Sequence, residues 1–197
     1  MKQKRIAKIE RITSETKIKL ELNLDGSGKA DVKTGIGFLD HMLDLWAFHG
    51  LFNLKLTCKG DLEIDAHHTT EDIALALGSA LAEAVGEKKR IVRYGFYYLR
   101  MDEALLRVAL DLSGRPEFVF SGEFIQASIG SLDTQMIRHF FKSLAMSSRM
   151  TLHMSILYGI NDHHKCEGLL KALGRALRQA VEIDPRRIGV ASTKGIL

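Results

Sequence analysis

His67-His68-Thr69-Thr70-Glu71 and His163-His164-Lys165-Cys166-Glu167 are two versions of one motif, His-His-x-x-Glu, set 96 residues apart. Each has a further histidine upstream in a helical setting: His41 within Leu39-Asp40-His41-Met42-Leu43, and His139, 98 residues later, within Ile137-Arg138-His139-Phe140-Phe141. The same residues in the same order at nearly one offset mark a unit and its copy, so the rest of the chain is read as two halves.

Working outward from the motifs, the surroundings repeat too. Ile18, Leu20, Leu22 and Leu24 alternate with polar residues up to an Asp25-Gly26 turn, the pattern of a half-buried strand. Its counterpart is the strand before Ser113-Gly114. Phe52, Leu54, Leu56 and Cys58 alternate again, as do Leu152, Met154, Ile156 and Tyr158, and each of these strands runs through a turn into a motif. After each motif comes a long apolar stretch, about 70–85 and about 167–181, with Gly86 and Pro185 as stops; both read as buried helices. Each half therefore reads strands, helix, strand, helix, with the division at residues 87–92: 1–90 is the first half-repeat and 91–197 the second. The expected fold is α+β, two similar βα halves with helices packed between or against two mostly antiparallel sheets.

Composition bounds the function. Apolar residues at 46% and only 2 prolines allow a buried core and exclude a disordered chain. The excess of 28 Lys+Arg over 24 Asp+Glu is mild, spread along the chain and accompanied by few aromatics, which argues against a nucleic-acid surface and favours a small anionic ligand. Two cysteines, Cys58 and Cys166, make no disulfide framework, the N-terminus lacks an apolar leader, and no stretch is long enough to span a bilayer. A cytoplasmic location and no membrane partner are expected.

The histidines point to metal. On a helix, residues four apart share a face, so His67 with Glu71 and His163 with Glu167 each present an imidazole and a carboxylate together, while the adjacent His68 and His164 turn about 100° away. With His41 and His139 the inventory is six imidazoles and two carboxylates, four ligands for each of two ions. Nitrogen and oxygen donors without thiolate suit an octahedral Mn, Fe or Co ion better than a structural zinc site. The expected division gives one ion His67, Glu71, His139 and His164, and the other His163, Glu167, His41 and His68. Cys166 reads as a packing residue and His153 as structural; His49, before Gly50, either ends a helix or faces the ligand. At the C-terminus, Ser192-Thr193-Lys194-Gly195 can hold a phosphate through charge-assisted hydrogen bonds. Arg93, Arg115 and Lys171 are further candidates for the same anion, and the arginines can equally be surface or ion-pair residues.

These stretches together resemble the imidazoleglycerol-phosphate dehydratase family. The matching residues are Thr34-Gly-Ile-Gly-Phe-Leu-Asp-His-Met-Leu43, Asp65-Ala-His-His-Thr-Thr-Glu-Asp72, Met101-Asp-Glu-Ala-Leu105, Leu112-Ser-Gly-Arg-Pro116, Gly159-Ile-Asn-Asp-His-His-Lys-Cys-Glu167, Lys171-Ala-Leu-Gly-Arg-Ala-Leu177 and Ser192-Thr-Lys-Gly195, nearly the whole chain. Three places depart from the family's pattern: Arg100 for a usual Pro, Lys88-Lys89-Arg90 for a Gly-containing turn, and Ala191 for a frequent Pro. The resemblance implies a fold like the second domain of ribosomal protein S5, and a manganese-dependent hydro-lyase with two ions per site. It would remove water from imidazole glycerol phosphate to give imidazole acetol phosphate in histidine biosynthesis. It also implies trimers assembling into a 24-subunit shell with sites between subunits, and Glu15 as the proton-moving carboxylate, with Asp102 and Glu103 in the corresponding place of the second half.

The chemistry gives metals a purpose. The C–H to be broken is not next to a carbonyl, so a base alone meets a very weak acid. Ligation of the substrate's imidazole favours its imidazolate, which can expel the neighbouring hydroxyl, and two ions orient the substrate. Two other classes fit part of the pattern: a metal-storage shell, which would have no use for a phosphate clamp, and a binuclear phosphate hydrolase, which would not need an imidazole on its substrate.

Overall fold

Along the second strand of the chain, Thr16, Ile18, Leu20 and Leu22 are buried while the residues between them face outward, so one face of that strand must be covered. The computed structural model describes residues 5–197. The first half runs β1 (Ile6–Ile12), β2 (Thr16–Asn23), β3 (Ala30–Lys33), α1 (Gly37–Gly50), β4 (Asn53–Gly60) and α2 (His67–Val85). The second half runs β5 (Tyr94–Met101), β6 (Ala104–Asp111), β7 (Glu117–Ser121), a two-residue pair β8 (Ser128–Ile129) and β9 (Leu132–Asp133), then α3 (Thr134–Ser148), β10 (Thr151–Tyr158) and α4 (Asp162–Val181).

The two main sheets have the same wiring, β1-β2-β4-β3 and β5-β6-β10-β7. In each, three strands are antiparallel and the edge strand is parallel to its neighbour, β3 to β4 and β7 to β10. The parallel edge follows from the connection: parallel neighbours cannot be joined by a tight turn, and here α1 and α3 make the crossovers. β1, β3, β5 and β7 are not marked by the sequence pattern; the helices and the strands β2, β4, β6 and β10 are.

Helices α1 and α2 lie on the first sheet, α3 and α4 on the second, and the layers meet as α1 on α4 and α2 on α3. Two glycines make that contact close. A Cβ on Gly78 of α2 would fall 2.8 Å from the Leu144 carbonyl oxygen and 2.9 Å from the Ser148 nitrogen of α3; one on Gly174 of α4 would fall 2.6 Å from the Trp46 carbonyl oxygen and 3.1 Å from the Gly50 nitrogen of α1. The glycines stand 96 residues apart and their partners 98, the offsets of the histidines. The caps repeat as well, since α1 ends on left-handed Leu51 and α3 on left-handed Arg149.

Candidate metal centres

Both motifs open a helix. α4 is capped by Asn161, whose side chain accepts from the backbone N–H of His163 at 2.9 Å and of His164 at 3.3 Å; at the start of α2, Asp65 accepts from His67 N–H at 2.7 Å. The first turn of each helix is thus fixed, and with it the direction of its two imidazoles.

One cluster gathers His67, Glu71 and His139 where α2 meets α3. His67 Nε2 is 3.6 Å from Glu71 Oε2, and His139 Nε2 is 3.2 Å from Glu71 Oε1. The other gathers His41, His163 and Glu167 where α1 meets α4, with His163 Nε2 at 3.0 Å and His41 Nε2 at 3.5 Å from Glu167 Oε2. In each trio the donor atoms lie within 4.8 Å of one another. The buried His139 Nε2 makes no hydrogen bond despite its approach to Glu71. A cation at that point would satisfy a nitrogen that the protein leaves unpaired, so the residues fit a metal ion. Burial pushes the Glu167 carboxyl up, but Lys171 and His163 outweigh it and hold the group below its ordinary value, in the ionised form a ligand needs.

The remaining two motif histidines join neither trio. Nδ1 of His68 lies 2.9 Å from Asp61 and its Nε2 3.7 Å from Glu15; Nδ1 of His164 lies 2.8 Å from Glu103 and its Nε2 3.7 Å from Asp102. A carboxylate only accepts, so each Nδ1 carries the hydrogen and each Nε2 faces outward as the candidate donor atom. These hydrogen bonds raise the pKa of both imidazoles. Glu103 also accepts from the backbone N–H of Asn161 and Ile160, and with the former leading, its carboxyl is held at about 2. The structure thus brings together three of each expected four ligands and leaves the fourth apart: His164, expected with the first set, opens α4, and His68, expected with the second, opens α2.

The anion candidates fall in two places. Arg115 and Lys194 line a pocket with Lys88, Arg149 and Ser113 at the C-terminal end of α2. With about 1.5 Å per residue, the 19-residue α2 puts that pocket roughly 28 Å from His67. Lys171 instead forms an ion pair with Glu167, and burial together with the charges of Lys171 and Arg175 lowers the pKa of His49 near it. Arg93 is buried and bound through two bonds to Asp111, at 2.6 and 2.8 Å, with a third to the Ala191 carbonyl, so its guanidinium is engaged within the fold. Ser192 Oγ accepts from Lys194 N–H at 3.2 Å and shapes the tail.

Several site neighbours escaped the sequence reading. Asp61 is seven residues before His68 and could have been found by that proximity. Asp72 sits beneath the β1–β2 turn. Asp162 and Lys165 form a fully buried pair at 2.7 Å, and the same aspartate accepts from the N–H of Ile125 and Gln126, tying the β7–β8 loop to the start of α4. Both cysteine thiols are pushed up by burial, Cys58 to about 11, so neither is a thiolate ligand or nucleophile at neutral pH.

Comparison with known proteins gives one answer. The sequence profile described as imidazoleglycerol-phosphate dehydratase matches residues 34–177. Curated proteins of that name include one from Clostridium botulinum, 53% identical over 98% of this chain and 98% of its own, and one from Geobacillus kaustophilus, 54% identical over 98% and 99%. Crystal structures of imidazoleglycerol-phosphate dehydratases from Staphylococcus aureus and Pyrococcus furiosus superpose with a TM-score of 0.82 each at 36% identity. They cover 90% and 96% of this chain and 99% and 100% of theirs.

Proposed function

The chain belongs to the imidazoleglycerol-phosphate dehydratase family, a hydro-lyase family of histidine biosynthesis, and on that premise we propose how its residues carry the reaction. Imidazole glycerol phosphate loses water to give imidazole acetol phosphate, at a site built from the first motif of one copy and the second motif of another. The observation that carries this reading is the pair of three-donor clusters, each short of one expected ligand, beside two motif histidines that belong to neither cluster and whose Nε2 atoms lie by Glu15 and Asp102. In an assembly, His164 of one copy completes the His67, Glu71 and His139 set of its neighbour, and His68 completes the His41, His163 and Glu167 set.

Two manganese ions suit these imidazole and carboxylate donors, which leave coordination positions open. When bound, they supply Lewis acidity that favours the ionised form of a substrate imidazole and orients it. The protein's own groups do the rest. Asp61 and Glu103 hold His68 and His164 in one tautomer. Glu15, 3.7 Å from His68 Nε2 and half exposed, takes the proton from the substrate's carbon. Arg115, Ser192 and Lys194, at the far end of α2 from His67, serve the phosphate of a site on a neighbouring copy, while Lys171 and His49 line the second cluster. Arg93 contributes by fixing the tail that carries Ser192 and Lys194.

The assembly we propose is a cytoplasmic shell of trimers, 24 subunits in all. Its support here is the incompleteness of each cluster within one chain and the exposed row Tyr94, Phe96 and Tyr98 on the outer face of β5, apolar surface of a kind that marks contacts between proteins.

Manganese-loaded protein given imidazole glycerol phosphate should form a ketone without releasing inorganic phosphate; phosphate release would favour the hydrolase reading instead. Glu15→Gln should keep metal content and binding of an unreactive substrate mimic while turnover falls by about 10²–10⁴-fold, the usual contribution of a positioned acid–base group.

A further inference from the structure

Glu15 sits at the tip of the β1–β2 turn, and among the described residues its carboxylate makes no hydrogen bond. A side chain that must meet a carbon-bound proton needs a fixed base beneath it, and the base is visible. Asp72, the residue after Glu71 on α2, is 6% exposed. Its Oδ1 accepts from Arg11 Nη2 at 2.7 Å, and its Oδ2 accepts from the Thr16 hydroxyl at 2.5 Å and the Thr13 hydroxyl at 3.4 Å. The Thr13 oxygen in turn accepts from the backbone N–H of Glu15 at 3.2 Å and of Thr16 at 2.9 Å. A continuous chain of hydrogen bonds therefore runs from the helix that carries His67, His68 and Glu71 to the backbone of Glu15.

We infer that Asp72, acting through the Thr13 hydroxyl, is the positioning residue for Glu15, locking the proton-moving carboxylate to the metal-bearing turn of α2. This rests on the assignment of Glu15 made above. A buried carboxylate is expensive unless its hydrogen bonds are met, and an apolar residue would anchor a hairpin on a helix without that expense. The internal repeat makes the point sharper. The residue 96 positions after Asp72 is Gly168, so the second half keeps the hairpin and the helix but not this network. There the turn is held by Glu103 accepting from the N–H of Ile160 and Asn161. A feature required by the shared fold would have its copy; this one is found where Glu15 is.

The test deletes the Thr13 hydroxyl in the assembled, manganese-loaded enzyme. Thr13→Val and Thr13→Ala should each lower kcat by about 10–100-fold, since a misplacement of about 1 Å can cost about 10²-fold, while KM, metal content and melting temperature stay near the parent's. The alanine covers the case in which valine strains the turn. Thr13→Ser, which restores the acceptor, should recover turnover. Thr13→Val combined with Glu15→Gln should be no worse than Glu15→Gln alone, because both act on one proton transfer. Parent-like turnover in Thr13→Val and Thr13→Ala, beside a strong loss in Glu15→Gln, would overturn this inference alone, as would losses that add in full in the double variant. Parent-like turnover in Glu15→Gln would overturn the assignment of Glu15 and this inference with it.

Discussion

His164 Nδ1 lies 2.8 Å from Glu103 Oε2, a contact made between the first turn of α4 and the tip of the β5–β6 hairpin. It does two things that pull in opposite directions. It aims the imidazole, and by stabilising the protonated ring it raises the pKa of His164, so in the proposed role as a metal ligand protons compete with the ion at a higher pH than they would for an ordinary histidine of about 6.5.

Glu103→Gln separates the two effects. At alkaline pH, where protons do not compete, loss of the orienting carboxylate should weaken manganese binding by about 10–100-fold. The pH at which affinity begins to fall should move down, because the folded pKa of His164 returns toward its ordinary value. Calorimetric titrations with manganese over a pH series measure both; an affinity curve that bends at the parent's pH would show that Glu103 does not govern His164.

If each site combines the first motif of one copy with the second motif of another, two dead variants should rescue each other. His67→Ala/His68→Ala chains keep an intact second half, and His163→Ala/His164→Ala chains keep an intact first half. Each homogeneous preparation should be inactive, and co-expressed or dissociated and reassembled mixtures should regain a substantial fraction of parent activity. Continued inactivity of mixed assemblies, verified as mixed by mass spectrometry, would place both motifs of one chain in the same site.

Gly78→Ala tests the helix layer. Alanine is favoured over glycine within a helix by about 1 kcal/mol, but here the new Cβ would meet backbone atoms of α3 at 2.8 and 2.9 Å. Overpacking of that kind costs about 1–3 kcal/mol. The variant should therefore melt lower than the parent, and since Glu71 and His139 face each other across the same two helices, its affinity for manganese should fall as well.

Arg90 has φ +63° in the turn between the halves, with Lys88 also left-handed at +57°. The left-handed region costs a non-glycine residue about 1–2 kcal/mol, and glycine gives back about 0.5–1 kcal/mol through the freedom of its unfolded chain. Arg90→Gly should stabilise the protein by about 0.5–1 kcal/mol, a rise of about 1–4 °C in melting temperature at fixed protein concentration.

What could be read from the sequence was what repeats. The twin motifs announced two halves, period-two alternation in β2, β4 and β10 marked strands whose one face is covered, and β6 followed as the counterpart of β2. β1 and β3, at the edges of their sheet, lack that contrast because both their faces are partly open, and they went unmarked. The trios at α2/α3 and α1/α4 were legible because i and i+4 spacing is a local property of a helix. Glu103 as the partner of His164, 61 residues away, and Asp72 as the anchor of a turn 59 residues earlier depend on how hairpins lie over helix starts, which no local spacing records. Arg93 shows the same limit from the other side: an arginine that the sequence leaves open between phosphate partner and ion pair is placed by the fold against Asp111.

The cross-pairing of helices, α1 with α4 and α2 with α3, has a consequence for how the chain is made. The ribosome delivers α1 and α2 first, with the faces that pack on α4 and α3 finished and those two helices not yet translated. α3 begins at Thr134 and α4 at Asp162, so at about 5–20 residues per second the nascent first half waits for seconds with its oily side uncovered. In that interval the helix layer is half built, and the second half covers it when α3 and α4 arrive.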